Sequence, residues 1–102
     1  MNERDLTEFL HINQFTPCLD HSMQFDGMLS KVDAFIAGDV LLRVVVDRGQ
    51  RFIDLARSDK EVWTDVFTLA SRVDAAFQIR QGSFSEAVRV LNVYWPKIAF
   101  YL

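Results

Sequence analysis

The chain has one cysteine, Cys18, in 102 residues. An intrachain disulfide is therefore excluded, and a reducing compartment is favoured. Two prolines and four glycines are too few for a collagen-like or low-complexity chain. Basic runs are absent: eleven lysines and arginines are scattered singly among fourteen acids, for a formal net charge of −3. No stripe for tracking phosphates results, which argues against nucleic-acid binding. No apolar stretch approaches the ~20 residues of a membrane helix. The opening MNERDLTEFL carries acids where a secretory signal needs a basic region and an apolar run. Together these absences predict a soluble cytoplasmic protein.

What is present is globular. Half the residues are hydrophobic and a quarter are charged, a balance that packs rather than stays disordered. The length predicts one domain, residues 1–102, with a single core. Nine phenylalanines and two tryptophans are a heavy aromatic load, chiefly core material with some to spare for a partner interface.

The strongest local signal is Val40–Arg57, VLLRVVVDRGQRFIDLAR. Two runs rich in β-branched residues surround Arg48-Gly49, which reads as a β-hairpin. That turn sets Asp47 opposite Gln50, Val44 opposite Ile53 and Leu42 opposite Leu55, giving one apolar face. Arg43 opposite Asp54 and Val45 opposite Phe52 fall on the other, where the opposite charges pin the register.

Upstream, Leu6, Phe9 and Leu10 recur at helical spacing over Asp5–Ile12, with Asp5 and Glu8 in capping-box positions. Thr16-Pro17 ends that helix. Met23 and Phe25 alternate with polar residues, and Asp26-Gly27 is a turn. Val32, Ala34 and Ile36 alternate with Lys31 and Asp33 up to the Gly38-Asp39 turn. Downstream, Ser58-Asp59-Lys60-Glu61 reads as a capping box. It opens a helix with Val62, Val66, Leu69, Ala70 and Val73 on one face, flanked by Trp63 and Phe67, and running to Asp74 or Ala76. A second box, Ser83-Phe84-Ser85-Glu86, opens the last helix, with Ala87, Val88, Leu91 and Trp95 on one face. Pro96 should kink or restart it, and the final KIAFYL is apolar enough to dock. The predicted fold is α+β: an antiparallel meander of about four strands, with an N-terminal helix and two C-terminal helices on one face.

A chemical centre is harder to find. His11, Cys18, Asp20 and His21 are metal-ligand or thiol–base residue types, but their spacing fits no standard zinc pattern. Scattered aspartates sit at turns or, for Asp54, opposite an arginine. Asp47-Arg48-Gly49-Gln50 lacks the GK[ST] and following helix of a phosphate loop. Trp63, Phe67, Tyr94 and Trp95 have the spacing of core aromatics. No catalytic constellation stands out, so the expectation is a non-enzyme with neither metal nor cofactor.

The order of segments resembles the small bacterial immunity proteins of contact-dependent inhibition and related polymorphic toxin systems. Phe25–Gly27 (FDG), the hairpin Leu41–Ala56 and VWTDVFTL at Val62–Leu69 carry the likeness, which covers the middle half of the chain. The resemblance implies a cytoplasmic protein that binds one cognate toxin domain, often a nuclease, and occludes its active site or an essential surface. Acidic residues that face a basic cleft would then matter, and charge and position make Asp20, Asp26, Asp33 and Asp39 the candidates. The alternative expectation is a generic interaction protein or homodimer, joined along an edge strand or through the C-terminal helix.

Overall fold

The computed structural model describes residues 2–24 and 30–102, with side chains over 5–23 and 30–102. Its centre is the expected hairpin. Strands β4 (Val40–Asp47) and β5 (Gln50–Arg57) pair antiparallel from Asp47↔Gln50 through Arg43↔Asp54 to Val40↔Arg57. Both turn residues are left-handed, Arg48 at φ 52° and Gly49 at φ 84°. Positive φ at both positions is the mark of a type I′ turn, whose twist matches that of the strands it joins. Strand β3 (Ser30–Ala37) lies on the other side of β4, paired from Ser30↔Asp47 to Ala37↔Val40.

The outer edge of β3 is closed by an interrupted strand. β1 (Thr16–Pro17) and β2 (Met23–Gln24) both pair with β3, separated by a 3-10 turn at Leu19–His21. Across the gap, the Cys18 N–H donates to the Ala34 carbonyl at 2.8 Å. The Ala34 N–H donates to Ser22 Oγ at 2.9 Å. One hydroxyl thus stands in for the missing ladder rung, because an edge N–H left dry would be costly. A further short strand, β6 (Thr64–Asp65), borders β5 through Asp54↔Asp65 and Leu55↔Thr64. The sheet order is β1-β3-β4-β5-β6, with β2 also on β3. The predicted Phe25 strand position and Asp26-Gly27 turn lie outside the described residues.

Residues two apart on a strand share a face. Phe35, Leu42, Val44, Ile53 and Leu55 therefore point one way, into a core with three helices: α1 (Asn2–Ile12), α2 (Val66–Val73) and α3 (Phe84–Tyr101). α2 contributes Val66, Phe67, Leu69 and Ala70, and α3 contributes Phe84, Ala87, Val88, Val90, Leu91 and Ile98. α1 is joined to α3 by three aromatic rings. Phe9 meets Trp95 edge-on at 5.3 Å, and Phe15 lies 5.6 Å from Trp95 and 5.9 Å from Phe9. The fold is α+β with an antiparallel sheet, as the periodicities predict.

Helix starts differ from expectation at two places. α1 already runs from Asn2, so Asp5 and Glu8 lie inside it rather than capping it. α2 begins at Val66, with its cap at Asp65, seven residues later than the Ser58 box implied. The side chain of Asp65 accepts from both the Thr68 N–H (3.0 Å) and its hydroxyl (2.6 Å), a two-bond cap. The Ser58–Glu61 stretch is a turn instead: Glu61 sits at φ 52° and its N–H donates to the Arg57 carbonyl at 2.8 Å. Val62 is consequently exposed and Trp63 is on no helix. The Ser83–Glu86 box forms as read, with each residue bonding the other's backbone. α3 continues through Pro96 without restarting, since proline removes one N–H bond while Leu91 and Ile98 stay anchored in the core. The KIAFYL end docks through Ile98, which is fully buried, and Leu102, which packs on the core, while Phe100 points away from the body.

The end of α2 is tied to α3 by the Tyr94 hydroxyl, which donates to Asp74 Oδ2 at 2.7 Å. That bond, with the Ala76 N–H, holds the Asp74 carboxyl below its ordinary value, and the same carboxylate raises the Tyr94 hydroxyl. A depressed acid stabilises the fold above its unfolded value and loses that contribution as pH falls through the folded one. A raised tyrosine stabilises below its unfolded value and loses it as pH rises through the folded one. The contact therefore contributes fully between about pH 4 and pH 10. Tyr94→Phe should lower the urea midpoint within that window, and should shrink its fall at both extremes. For the caps, Asp65→Ala should cost about 1 kcal/mol in urea unfolding, while Ser58→Ala should be close to neutral.

Candidate functional site

The sheet face turned away from the helices carries Val32, Ala34 and Ile36 of β3, Leu41, Arg43 and Val45 of β4, and Phe52, Asp54 and Ala56 of β5. Ala34, Leu41 and Ala56 are buried there, apart from the helix-side core. Two connections meet over this face, the 3-10 turn and the loop after β5. His21 Nδ1 lies 3.1 Å from Glu61 Oε1, and the His21 and Trp63 rings are 6.5 Å apart, edge to face. Arg43 sits beneath them, its guanidinium 4.3 Å from the centre of the Trp63 ring. Its Nε donates to Asp54 Oδ2 at 2.9 Å.

The pair Arg43–Asp54 is mostly buried, with 28% and 16% of its side chains exposed, so its charge-assisted hydrogen bond offsets a desolvation cost and its net contribution is modest. A partly exposed stack on tryptophan adds a similar amount. What the pair achieves is orientation: the guanidinium is fixed at one end by Asp54 and presents its flat face to Trp63.

Beside this patch, the described residues leave the face open. One cross-strand row, Met23↔Val32↔Val45↔Phe52, is apolar from end to end. Met23 is 53% exposed and Phe52 45%, with Val32 and Val45 half-buried between them. Four strands at about 4.8 Å spacing make this row roughly 14 Å long. The next row on the same face is Ala34, Arg43, Asp54 and Asp65. Around Arg43 the charges are therefore acidic: Asp54, Asp65 and Glu61. A groove of about 830 Å³ extends from Phe52 and Asp54 past the outer side of β5 to Arg80 and Phe84.

The four acids singled out from the sequence are not gathered. Asp20 is exposed on the 3-10 turn, next to His21 and so at the border of the open face. Asp33 pairs with Val44 and therefore lies on the helix side, 3.4 Å from Lys31. Asp39 is exposed in the β3–β4 turn, where its carbonyl accepts from the Ser58 N–H at 2.8 Å. Four residues of strand, about 13 Å, and then the turn separate it from Asp33. Asp26 lies outside the described residues. Cys18 is a half-buried free thiol and His11 lies in the last turn of α1. Among the described residues, no three His, Cys, Asp or Glu side chains come together as a metal-ligand group, and no helix is long and apolar enough to cross a membrane.

Sequence reasoning missed the Arg43–Trp63 stack and the full apolar row. Val45 opposite Phe52 was readable, but Met23 joins them only through the pairing of β2 with β3. Trp63 was hidden by the early helix start. Comparison with known proteins finds no matching family model, no similar curated protein and no similar solved structure.

Removing the guanidinium tests the patch. In a Trp95→Phe background, Arg43→Ala should change Trp63 fluorescence, and urea unfolding should lose about 1–3 kcal/mol, because the mostly buried Asp54 carboxylate is left without its partner.

Proposed function

We propose that this chain is an immunity protein, which binds a cognate toxin domain and neutralises it by covering an essential surface with its open sheet face. The observation that carries the reading is the apolar row Met23–Val32–Val45–Phe52 beside the Arg43–Trp63 stack. Binding energy concentrates in aromatic and arginine anchors with apolar surroundings, and an exposed row of this kind is the part of a domain that gains most from being covered. The acids Asp54, Asp65, Glu61 and Asp20 around it suit a basic partner surface such as a nuclease cleft, where charge steers encounter and sets orientation. Neutralisation in this reading is occlusion, with no chemical step on the immunity side.

The test is expression of the toxin domain encoded immediately upstream, with and without this protein. Wild type should restore growth and bind with nanomolar or tighter affinity. Phe52→Asp should weaken binding at least thirtyfold while the protein stays folded, about 2 kcal/mol or more. Asp20→Ala should slow association, and Asp33→Ala, on the other face, should do little. A harmless upstream domain, or absence of binding, would remove the immunity reading. Full affinity in Phe52→Asp would leave the partner and remove the face.

A further inference from the structure

The two connections that meet over Arg43 carry exposed apolar side chains of their own. One is the 3-10 turn Leu19–His21, the other the loop between β5 and β6. They are clasped by His21 Nδ1 at 3.1 Å from Glu61 Oε1, and by the His21 ring edge-on to Trp63. Glu61 makes its contact from a left-handed backbone, φ 52°, where glycine or asparagine would cost less. Each connection leaves one large apolar side chain in water beside an acid. Leu19, 82% exposed, precedes Asp20, and Val62, 69% exposed, follows Glu61. Local bonding explains both exposures. Trp63 is turned onto Arg43, which leaves its neighbour Val62 outside. On the turn, Cys18 and Ser22 bond to Ala34 and His21 is held by Glu61, so Leu19 is the side chain left pointing outward.

We propose that Leu19 and Val62 are contact residues for the toxin domain, so that the partner meets a step, sheet face and clasped connections together, rather than a flat sheet. This inference rests on the immunity reading and extends its interface. Single exposed apolar side chains are ordinary on any domain. These two differ because they sit on separate connections that a charged clasp ties together. Leu19 also stands four residues before Met23, where the row Met23–Val32–Val45–Phe52 begins. Apolar tips held in place in the free protein lose little freedom when a partner covers them. Charge points to the same occupant. Asp20, Glu61, Asp54 and Asp65 outnumber Arg43 and Lys60 around the clasp, while Arg57 and Asp59 on the same connection pair with each other at 3.0 Å. The basic surface that suits the acids beside the row therefore suits the connections too. The matching element of the toxin is an apolar ridge edged by lysine or arginine, seated in the angle between the sheet face and the clasp.

Calorimetry of the full chain with the toxin domain encoded immediately upstream tests the contact. Leu19→Ala and Val62→Ala should each weaken binding at least about fivefold. Their urea midpoints should match wild type, because both side chains already face water in the free protein. Ile12→Ala removes an apolar side chain of similar exposure, 74%, from α1, and should change affinity less than about twofold. Against a basic partner, Leu19→Lys should weaken binding more than Leu19→Glu does. Wild-type affinity in either alanine variant, an equal loss in Ile12→Ala, or tighter binding by Leu19→Lys than by Leu19→Glu would overturn the inference and leave the immunity reading standing. Absence of binding by the wild-type protein would remove that reading, and this contact with it.

Discussion

The register of the β4–β5 hairpin is the constraint on which everything else in this molecule rests. Arg48 and Gly49 both adopt positive φ, and the two-residue turn they form leaves the strands one alignment. A slip by a single residue would turn Arg43 and Asp54 into the helix-side core and push Leu42, Val44, Ile53 and Leu55 out. The apolar set is the stronger driving force, since each large side chain removed from water is worth about 1.5–3 kcal/mol, and the ion pair on the other face adds direction rather than energy. Once the hairpin is placed, β3 follows beside β4 and β6 beside β5, and the helices have one apolar face on which to settle.

The two faces of the sheet then divide the work. Helices α2 and α3 cover one face, with α1 held against α3 by the Phe9–Trp95–Phe15 ring cluster. Among the described residues, the other receives only partial cover, where the His21 turn and the Glu61–Trp63 loop meet over Arg43. Partial cover leaves Met23, Val32, Val45 and Phe52 facing water in a line. Buried side chains on both faces of β4, Leu41 and Leu42, keep that strand stiff, so the open row is presented by a rigid support. A rigid apolar row loses little conformational entropy when a partner covers it.

How much of this could be read from the chain depended on whether neighbours in space were also neighbours in sequence. Hairpin pairing is local, and every partner from Val40 to Arg57 was legible from the turn alone. The Ser83–Glu86 cap was legible for the same reason. The start of α2 was not, because Ser58–Glu61 and Asp65–Thr68 both resemble caps, and the choice was made by β6 pairing with Asp54 and Leu55. Trp63 was therefore misplaced on a helix, and with it the stack on Arg43. The apolar row was half legible: Val45 and Phe52 belong to the hairpin, whereas Met23 reaches them through an edge strand broken by a 3-10 turn. Aspartates read as a charge set were dispersed by the fold, because turn positions at opposite ends of a strand share a residue type without sharing a place.

We propose that the open sheet face, and no helix face, meets the partner. Amide hydrogen exchange across the chain, with and without the upstream-encoded toxin domain, tests it most directly. The account predicts added protection at Met23, Val32, Val45, Phe52 and the Glu61–Trp63 loop, with α1 and the outer side of α3 unchanged. Protection confined to the helices, with the strands exchanging as in the free protein, would contradict it.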